Sequence, residues 1–223
     1  MATKRAPGVR RPQLPQLSLP EPTPHDGSNL HPDGDHDTRS FTGLDLAAAD
    51  ATGSTFLDCS FEQCGLDGIR LRRARLIDTR LTGVGGVGAD LAEAELRDVE
   101  LADARLGGAQ LHGARLTRVL VRGGKLDFLN LRQARLTDVL FEGCVLIEPD
   151  FAGARLERVA FRDCRVRGAD LRQATLRDVD LREAAELEIS AGTDCLSGAV
   201  ISTAQLMDLA PALAAALGVR VED

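Results

Sequence analysis

Tryptophan and tyrosine are absent from the 223 residues, and phenylalanine occurs only 7 times. That excludes a core built on large aromatic side chains and leaves leucine, valine and alanine to fill a narrow one. No run of eighteen apolar residues occurs, and no apolar stretch follows the basic residues at the N-terminus. The sequence therefore predicts neither a membrane span nor a secretory signal and places the protein in the cytoplasm. Catalytic groups are as scarce. Only His112 lies between residues 41 and 190, and no nucleophile, base and orienting group can be assembled around it, so no enzyme is expected and no catalytic residue is assigned. Cys59, Cys64, Cys144, Cys164 and Cys195 have no histidine or second cysteine pair converging on them. They read as small buried hydrophobes in a reducing compartment, with no metal or other cofactor.

What the chain has instead is a nested period. From Phe41 to Leu181 almost every fifth residue is Leu, Phe or Val, broken by Ala51 and Gly86, and two residues before each sits a small one such as Ala74, Ala94, Ala114 or Ala134. A period of five fits neither a helix nor plain strand alternation. On an extended backbone both residues point inward together, and the next two must turn the chain, which gives a polygonal coil. Val99, Val119, Val139, Val159 and Val179 recur every twenty residues, as do Asp58, Asp78, Asp98, Asp138 and Asp178, with Arg118 and Arg158 in the skipped places. Four sides therefore make one turn, and Phe41, Phe61, Phe141 and Phe161 should stack on one face, about 4.8 Å apart where rungs are adjacent.

Runs such as Ala89-Asp90-Leu91-Ala92-Glu93 and Ala169-Asp170-Leu171-Arg172-Gln173 resemble the pentapeptide repeat family. The resemblance implies an all-β solenoid, a right-handed quadrilateral β-helix, over residues 40–200. Residues 1–39 hold seven of the nine prolines and no periodicity, which predicts a disordered tail. Residues 201–223 read as a helical cap or dimerisation segment. Ser202 and Gln205 suit a capping box, Pro211 should divide the segment into two short helices, and Leu206, Leu209, Leu213 and Leu217 form an apolar stripe. C-terminal helices mediate dimers in proteins that this arrangement resembles, so a homodimer is expected. Gly83-Val84-Gly85-Gly86-Val87-Gly88 matches G-x-G-x-x-G, but the five-residue beat runs through it to Leu91 without a helix, so no nucleotide site is assigned. Gly86 stands where a leucine should fill the core, which predicts an underpacked coil.

Function must then lie on the surface as binding. The first reading is a non-catalytic scaffold for an unidentified protein partner, with no nucleic acid and no membrane bound. Its candidate patch is Leu120 and Leu140 in one outward column, with Phe128, Val145 and Ile147 on the neighbouring face, where polar residues stand elsewhere. The alternative follows from a likeness to the quinolone-resistance branch of the family, which imitates duplex DNA and binds DNA gyrase; its candidate residues are Asp90, Asp150 and Asp170. Against it, residues 41–190 carry 25 acidic and 21 basic residues, a net of −4 within an overall −7, whereas a DNA mimic needs contiguous negative potential. Arg115, Arg135 and Arg155 share another outward column, which calls for nearby carboxylates or an anionic partner.

Overall fold

In the computed structural model, which describes residues 8–14 and 17–222, a left-handed backbone residue recurs at every fifth position from Asp33 to Asp178. Glycine takes many of these positions, but Asp, Arg, Gln and Glu take others at φ near 50–60°. For an L-residue that conformation costs about 1–2 kcal/mol. It is held by hydrogen bonding, since the corner amide donates to a carbonyl of the next coil, as from Arg73 to Ala92 at 2.9 Å and from Glu93 to His112 at 2.9 Å. Each corner turns the chain, and four corners bring it back over itself.

In the coil that begins at Arg75 the four sides are 75–77, 80–82, 85–87 and 90–92, the first to fourth faces below. The centre of each side points inward with the small residue before it, so that Leu76, Ala74, Thr79, Val84 and Ala89 are buried. Successive coils pair in parallel with a shift of twenty, for example Leu116 with Leu136 and Val121 with Phe141. The first two faces form one sheet of bent strands, Arg75–Thr82, Glu95–Ala102, Arg115–Arg122, Arg135–Glu142 and Arg155–Arg162. The third face is a six-stranded sheet that includes Gly85–Val87, Arg105–Gly107, Lys125–Asp127 and Val145–Ile147. The fourth is joined by single bridges such as Asp90 to Gln110 and Asn130 to Asp150. Phe41 stacks on Phe61 with centroids 4.4 Å apart, and Phe141 on Phe161 at 4.9 Å.

Three sequence expectations change. The coil begins at Asp33 and not at 40: strand Asp35–Asp37 pairs with Thr55–Leu57, and Thr23–Pro24 pairs with Arg39–Ser40 one rung further out. The expected disordered tail is instead, over the described residues 8–14 and 17–32, an extended segment laid against the rod, because its leucines and prolines find an apolar surface there. At the other end Thr203–Ala216 is one helix with Pro211 inside it. Pro211 sits on the exposed side, where water can satisfy the carbonyl that loses its donor. Ser202 and Gln205 form the expected capping box, and the buried Gln205 amide also donates to Leu181 O at 2.7 Å, closing the last coil. Among the described residues no helix is long and apolar enough to cross a membrane.

Around Gly86 the coil is pinched, since a Cβ there would lie 2.6 Å from the Leu66 carbonyl carbon. An apolar cavity of about 80 Å³ lies along the core of this coil and those that follow, lined by residues that include Leu66, Leu91, Leu116, Leu131 and Phe141. Gly124 is held more tightly still. It has φ +80° and an added Cβ would lie 2.2 Å from Ala104 O, whereas Gly143, at φ +64°, faces open space apart from one atom at 4.0 Å. Gly124→Ala should therefore cost more than about 3 kcal/mol in urea unfolding, and Gly143→Ala only about 1–2 kcal/mol; equal losses would contradict this backbone geometry.

The N-terminal end of the core is closed by two imidazoles. His25 stacks on Phe41 at 4.5 Å and His36 on Phe56 at 4.8 Å, with 6.0 Å between the two histidines. His25 Nδ1 accepts the Gly27 amide at 3.1 Å, while His36 Nε2 is buried without a partner. Burial, then the neighbouring His25, lowers the His36 pKa below 6.5; Asp35 opposes and Arg39 adds to the shift. The unfolded chain therefore binds the proton more readily, so the contribution of neutral His36 is complete above about pH 6.5 and falls as the pH drops toward the folded value. Amide exchange of Asp35–Asp37 should quicken between pH 7.5 and 5.5 once corrected for intrinsic rates, and His36→Phe should remove that dependence; an unchanged profile in the variant would refute the assignment.

Candidate protein-binding surfaces

Phe128 sits at a corner of the third face with 57% of its surface exposed, and its amide donates to Ile147 O on the next coil at 2.7 Å. Val145 and Ile147 stand beside it, both half-buried, and Val87, 69% exposed, lies in the Ile147 column three coils away. Between Val87 and Ile147, Gly107 and Asp127 leave a shallow depression lined also by Gly85, Gly86 and Lys125. Lys125 is held by Asp127 at 2.7 Å and Arg167 by Glu186 at 2.9 Å. Arg105 and Arg165, exposed at the margin, have no ion-pair partner among the described residues. The Gly-rich run Gly83–Gly88 forms one side of this face, strand Gly85–Val87, with no helix after it.

Leu120 and Leu140 lie on the second face, as a half-buried pair in register. Ala160 extends the same column. The floor they form is walled on both sides by ions. Along one corner Arg118 holds Asp98 at 2.5 Å and Arg158 holds Asp138 at 2.7 Å. Along the other edge Arg122 bridges Glu100 at 3.5 Å and Glu142 at 3.1 Å, and Arg162 bridges Glu142 at 2.9 Å and Glu183 at 3.0 Å. The Arg158 hydrogen bonds hold the Asp138 carboxyl below its ordinary pKa against burial, and Arg162 does the same for Glu142. Over the floor lies the N-terminal segment. Arg10 binds Asp178 at 2.6 Å, the Gln13 amide donates to Asp138 at 3.1 Å, and Arg80 donates to Leu17 O at 3.3 Å. Pro12 and Arg11 line a small pocket with Leu140, Ala160 and Asp180.

Asp90, Asp150 and Asp170 fall in one column of the fourth face, but none is a free surface charge. Each accepts the backbone amide two residues on, from Ala92 at 3.0 Å, Ala152 at 2.9 Å and Arg172 at 2.9 Å, and so shapes the turn. Each also faces an arginine: Arg72 at 3.3 Å, Arg132 at 3.5 Å and Arg172 at 2.5 Å. The cysteines are all free; Cys144 and Cys164 lie one coil apart in the core, and burial pushes the Cys59 thiol up to about 11. No group of three or more His, Cys, Asp or Glu side chains converges in a metal-binding arrangement among the described residues.

The model of the pentapeptide repeat region matches residues 54–131 and 134–192. The chain belongs to the pentapeptide repeat family. Comparison with curated proteins finds no match. Among solved structures the chain is similar to HetL, a pentapeptide repeat protein involved in heterocyst differentiation regulation from the cyanobacterium Nostoc sp. strain PCC 7120, with 24% identity over 78% of this chain and 92% of that one and a TM-score of 0.32. It is also similar to a trypsin-treated form of QnrB1, a plasmid-mediated fluoroquinolone resistance protein, with 19% identity, 85% and 100% coverage and a TM-score of 0.37. A third is Rfr23 from the cyanobacterium Cyanothece 51142, with 17% identity, 73% and 88% coverage and a TM-score of 0.33.

On this pentapeptide rod the expected sites separate. Leu120 and Leu140 are under the chain's own N-terminus, and Phe128, Val145 and Ile147 are on the adjacent face. The helix stripe is divided as well: Leu209 is buried against the rod and Leu213 half-buried, while Leu206 is 46% and Leu217 80% exposed. Arg115, Arg135 and Arg155 stack in register on the first face, and no carboxylate pairs with them among the described residues. Sequence reasoning missed the ion ladders and the role of Arg10. The ladders had a signal, because Arg118 and Arg158 take the places that Asp vacates in a twenty-residue column; Arg10 lies outside any period.

Proposed function

We propose that the protein is a non-catalytic scaffold that binds a protein partner through its third face. The observation that carries this reading is the cluster of Phe128, Val145 and Ile147 on a rod whose other outward positions are mostly charged and ion-paired. A solvated face needs no such side chains, and a confined apolar group with unpaired Arg105 and Arg165 at its margin suits a partner that brings apolar side chains rimmed by acids. The Phe128→Glu, Ile147→Glu double variant should keep the parent circular dichroism and melting temperature, because neither side chain fills the core. It should also lose the cross-linked partners that the parent captures in host lysate; identical capture by both proteins would sink the third-face assignment.

The reading as a DNA mimic acting on gyrase has less support, because Asp90, Asp150 and Asp170 are spent on turn amides and arginines. One local feature favours it: Asp58, Asp78 and Asp98 follow one another in a column, and burial together with Asp98 and Asp58 raises the Asp78 pKa. On the scaffold reading, supercoiling by the host's gyrase should be unaffected at tens of micromolar protein, and inhibition would restore the mimic.

The scaffold reading includes a homodimer through the C-terminal helix. Leu206, Met207 and Leu217 leave an exposed apolar strip on an element already fixed to the rod by Leu209 and Gln205. Leu206→Glu with Leu217→Glu should convert a dimer to a monomer in light scattering, and an identical mass before and after substitution would dispose of this interface.

A further inference from the structure

Residues 8–14 and 17–22 run along the rod axis and across the strands. Arg10 meets Asp178, Gln13 meets Asp138 and Leu17 meets Arg80, so successive contacts step from the last coils toward the first. The distances fit an extended chain: Arg10 to Thr23 can span about 43 Å, against about 34 Å for the rungs from Asp178 to Thr38. Over this course the segment makes no strand ladder until Thr23–Pro24. Pro12, Pro15, Pro20 and Pro22 have no backbone donor to offer. The groove beneath is complete without the segment, because Asp98, Asp138, Glu100 and Glu142 are already neutralised by the rod's own arginines. Among the described residues only Asp178 takes its nearest cation from Arg10. A floor of adjacent leucines between two ion ladders is a surface for an apolar segment, and the tail is held to it by few bonds.

We propose that the second face is a docking groove for an extended, arginine-bearing segment rich in proline and leucine, and that residues 8–14 and 17–22 occupy it as an internal competitor. The occupant's chemistry is read from the cover itself: an arginine meets Asp178, and Pro12, Leu14, Leu17 and Leu19, all half-buried, face the rod, while a proline-rich backbone pays little conformational entropy on docking. A partner segment of that kind gains access when the tail lifts, and the tail lowers its apparent affinity by the fraction of time it is bound.

The probe is a fluorescent synthetic peptide of residues 8–22, titrated into the full chain. It should bind the Arg10→Glu protein at least tenfold more tightly than the parent, since weakening the tail frees the groove, and Leu120→Glu with Leu140→Glu should abolish binding in both backgrounds. Asp178→Arg should reverse the preference, favouring a peptide with Arg10→Glu over the native peptide, which gives a readout independent of whether the leucine variant folds. Phe128→Glu on the third face should leave all these affinities unchanged. Equal affinity of the parent and Arg10→Glu proteins, or equal binding of a scrambled peptide, would overturn the proposal. So would a dimer of the parent that dissociates on Arg10→Glu, because the groove would then hold the tail of a second copy.

Discussion

A backbone forced into the left-handed region at every fifth residue is the constraint on which the whole rod depends. Once the corners from Asp33 to Asp178 are in place, each side has room for one large and one small inward residue, and every residue acquires neighbours twenty positions before and after it. The core width follows from that, and so does the absence of tryptophan and tyrosine, whose rings would overfill a side three residues long. The corner strain is repaid by amides that donate to the next coil, so strain and ladder bonding are one device: a corner that has no rung above it loses the bond that holds it. This makes the ends of the rod weak points by construction. The stacked imidazoles of His25 and His36 cover one end and the Gln205 amide closes the other.

The same register governs the surface charges. Side chains of equal sign one rung apart repel by roughly 1 kcal/mol even in water, so a rod with 21 basic and 25 acidic residues between 41 and 190 must alternate them along columns or leave them unpaired. Two columns alternate, and there arginine does what lysine cannot. Arg122 and Arg162 each reach a carboxylate in the coil before and in the coil after, using the spread donors of a planar guanidinium. Lysine occurs only at Lys4 and Lys125. Individual exposed pairs of this kind contribute little, typically about 0.2–1 kcal/mol. Their consequence is specificity, since a slip by one coil would set Asp138 against Asp178 and Arg118 against Arg158.

The parts of the structure legible in the sequence are those that the register repeats. The coil of four sides, the stacked phenylalanines and the inward cysteines each leave a mark every twenty residues. Leu120, Leu140, Phe128, Val145 and Ile147 could be placed facing outward for the same reason. What the register does not repeat stayed hidden. The N-terminal segment has no period because it crosses the rungs, and its prolines gave the composition of a disordered tail although the surface below supplies what it needs to order. Asp90, Asp150 and Asp170 were legible as outward acids, but an acid at the start of a side does two things at once, and the pattern alone does not separate a surface charge from a turn anchor. Pro211 was read from propensity, which Leu209 and Gln205 override by fastening the helix to the last coil.

A solenoid of identical rungs is close to one-dimensional, because each coil touches only its neighbours and can fray without informing a distant one. Among the described residues, the side-chain hydrogen bonds that skip whole coils all belong to the N-terminal segment: Arg10 to Asp178, Gln13 to Asp138 and Arg80 to Leu17. Through Thr23–Pro24 the same segment is built into the first rungs. Its described contacts therefore reach from the histidine-capped end to the last coils, across the floor of Leu120 and Leu140. The segment is held to the rod by few bonds, and because the acids of the ladders beneath it are already paired with the rod's own arginines, its release leaves those coils intact.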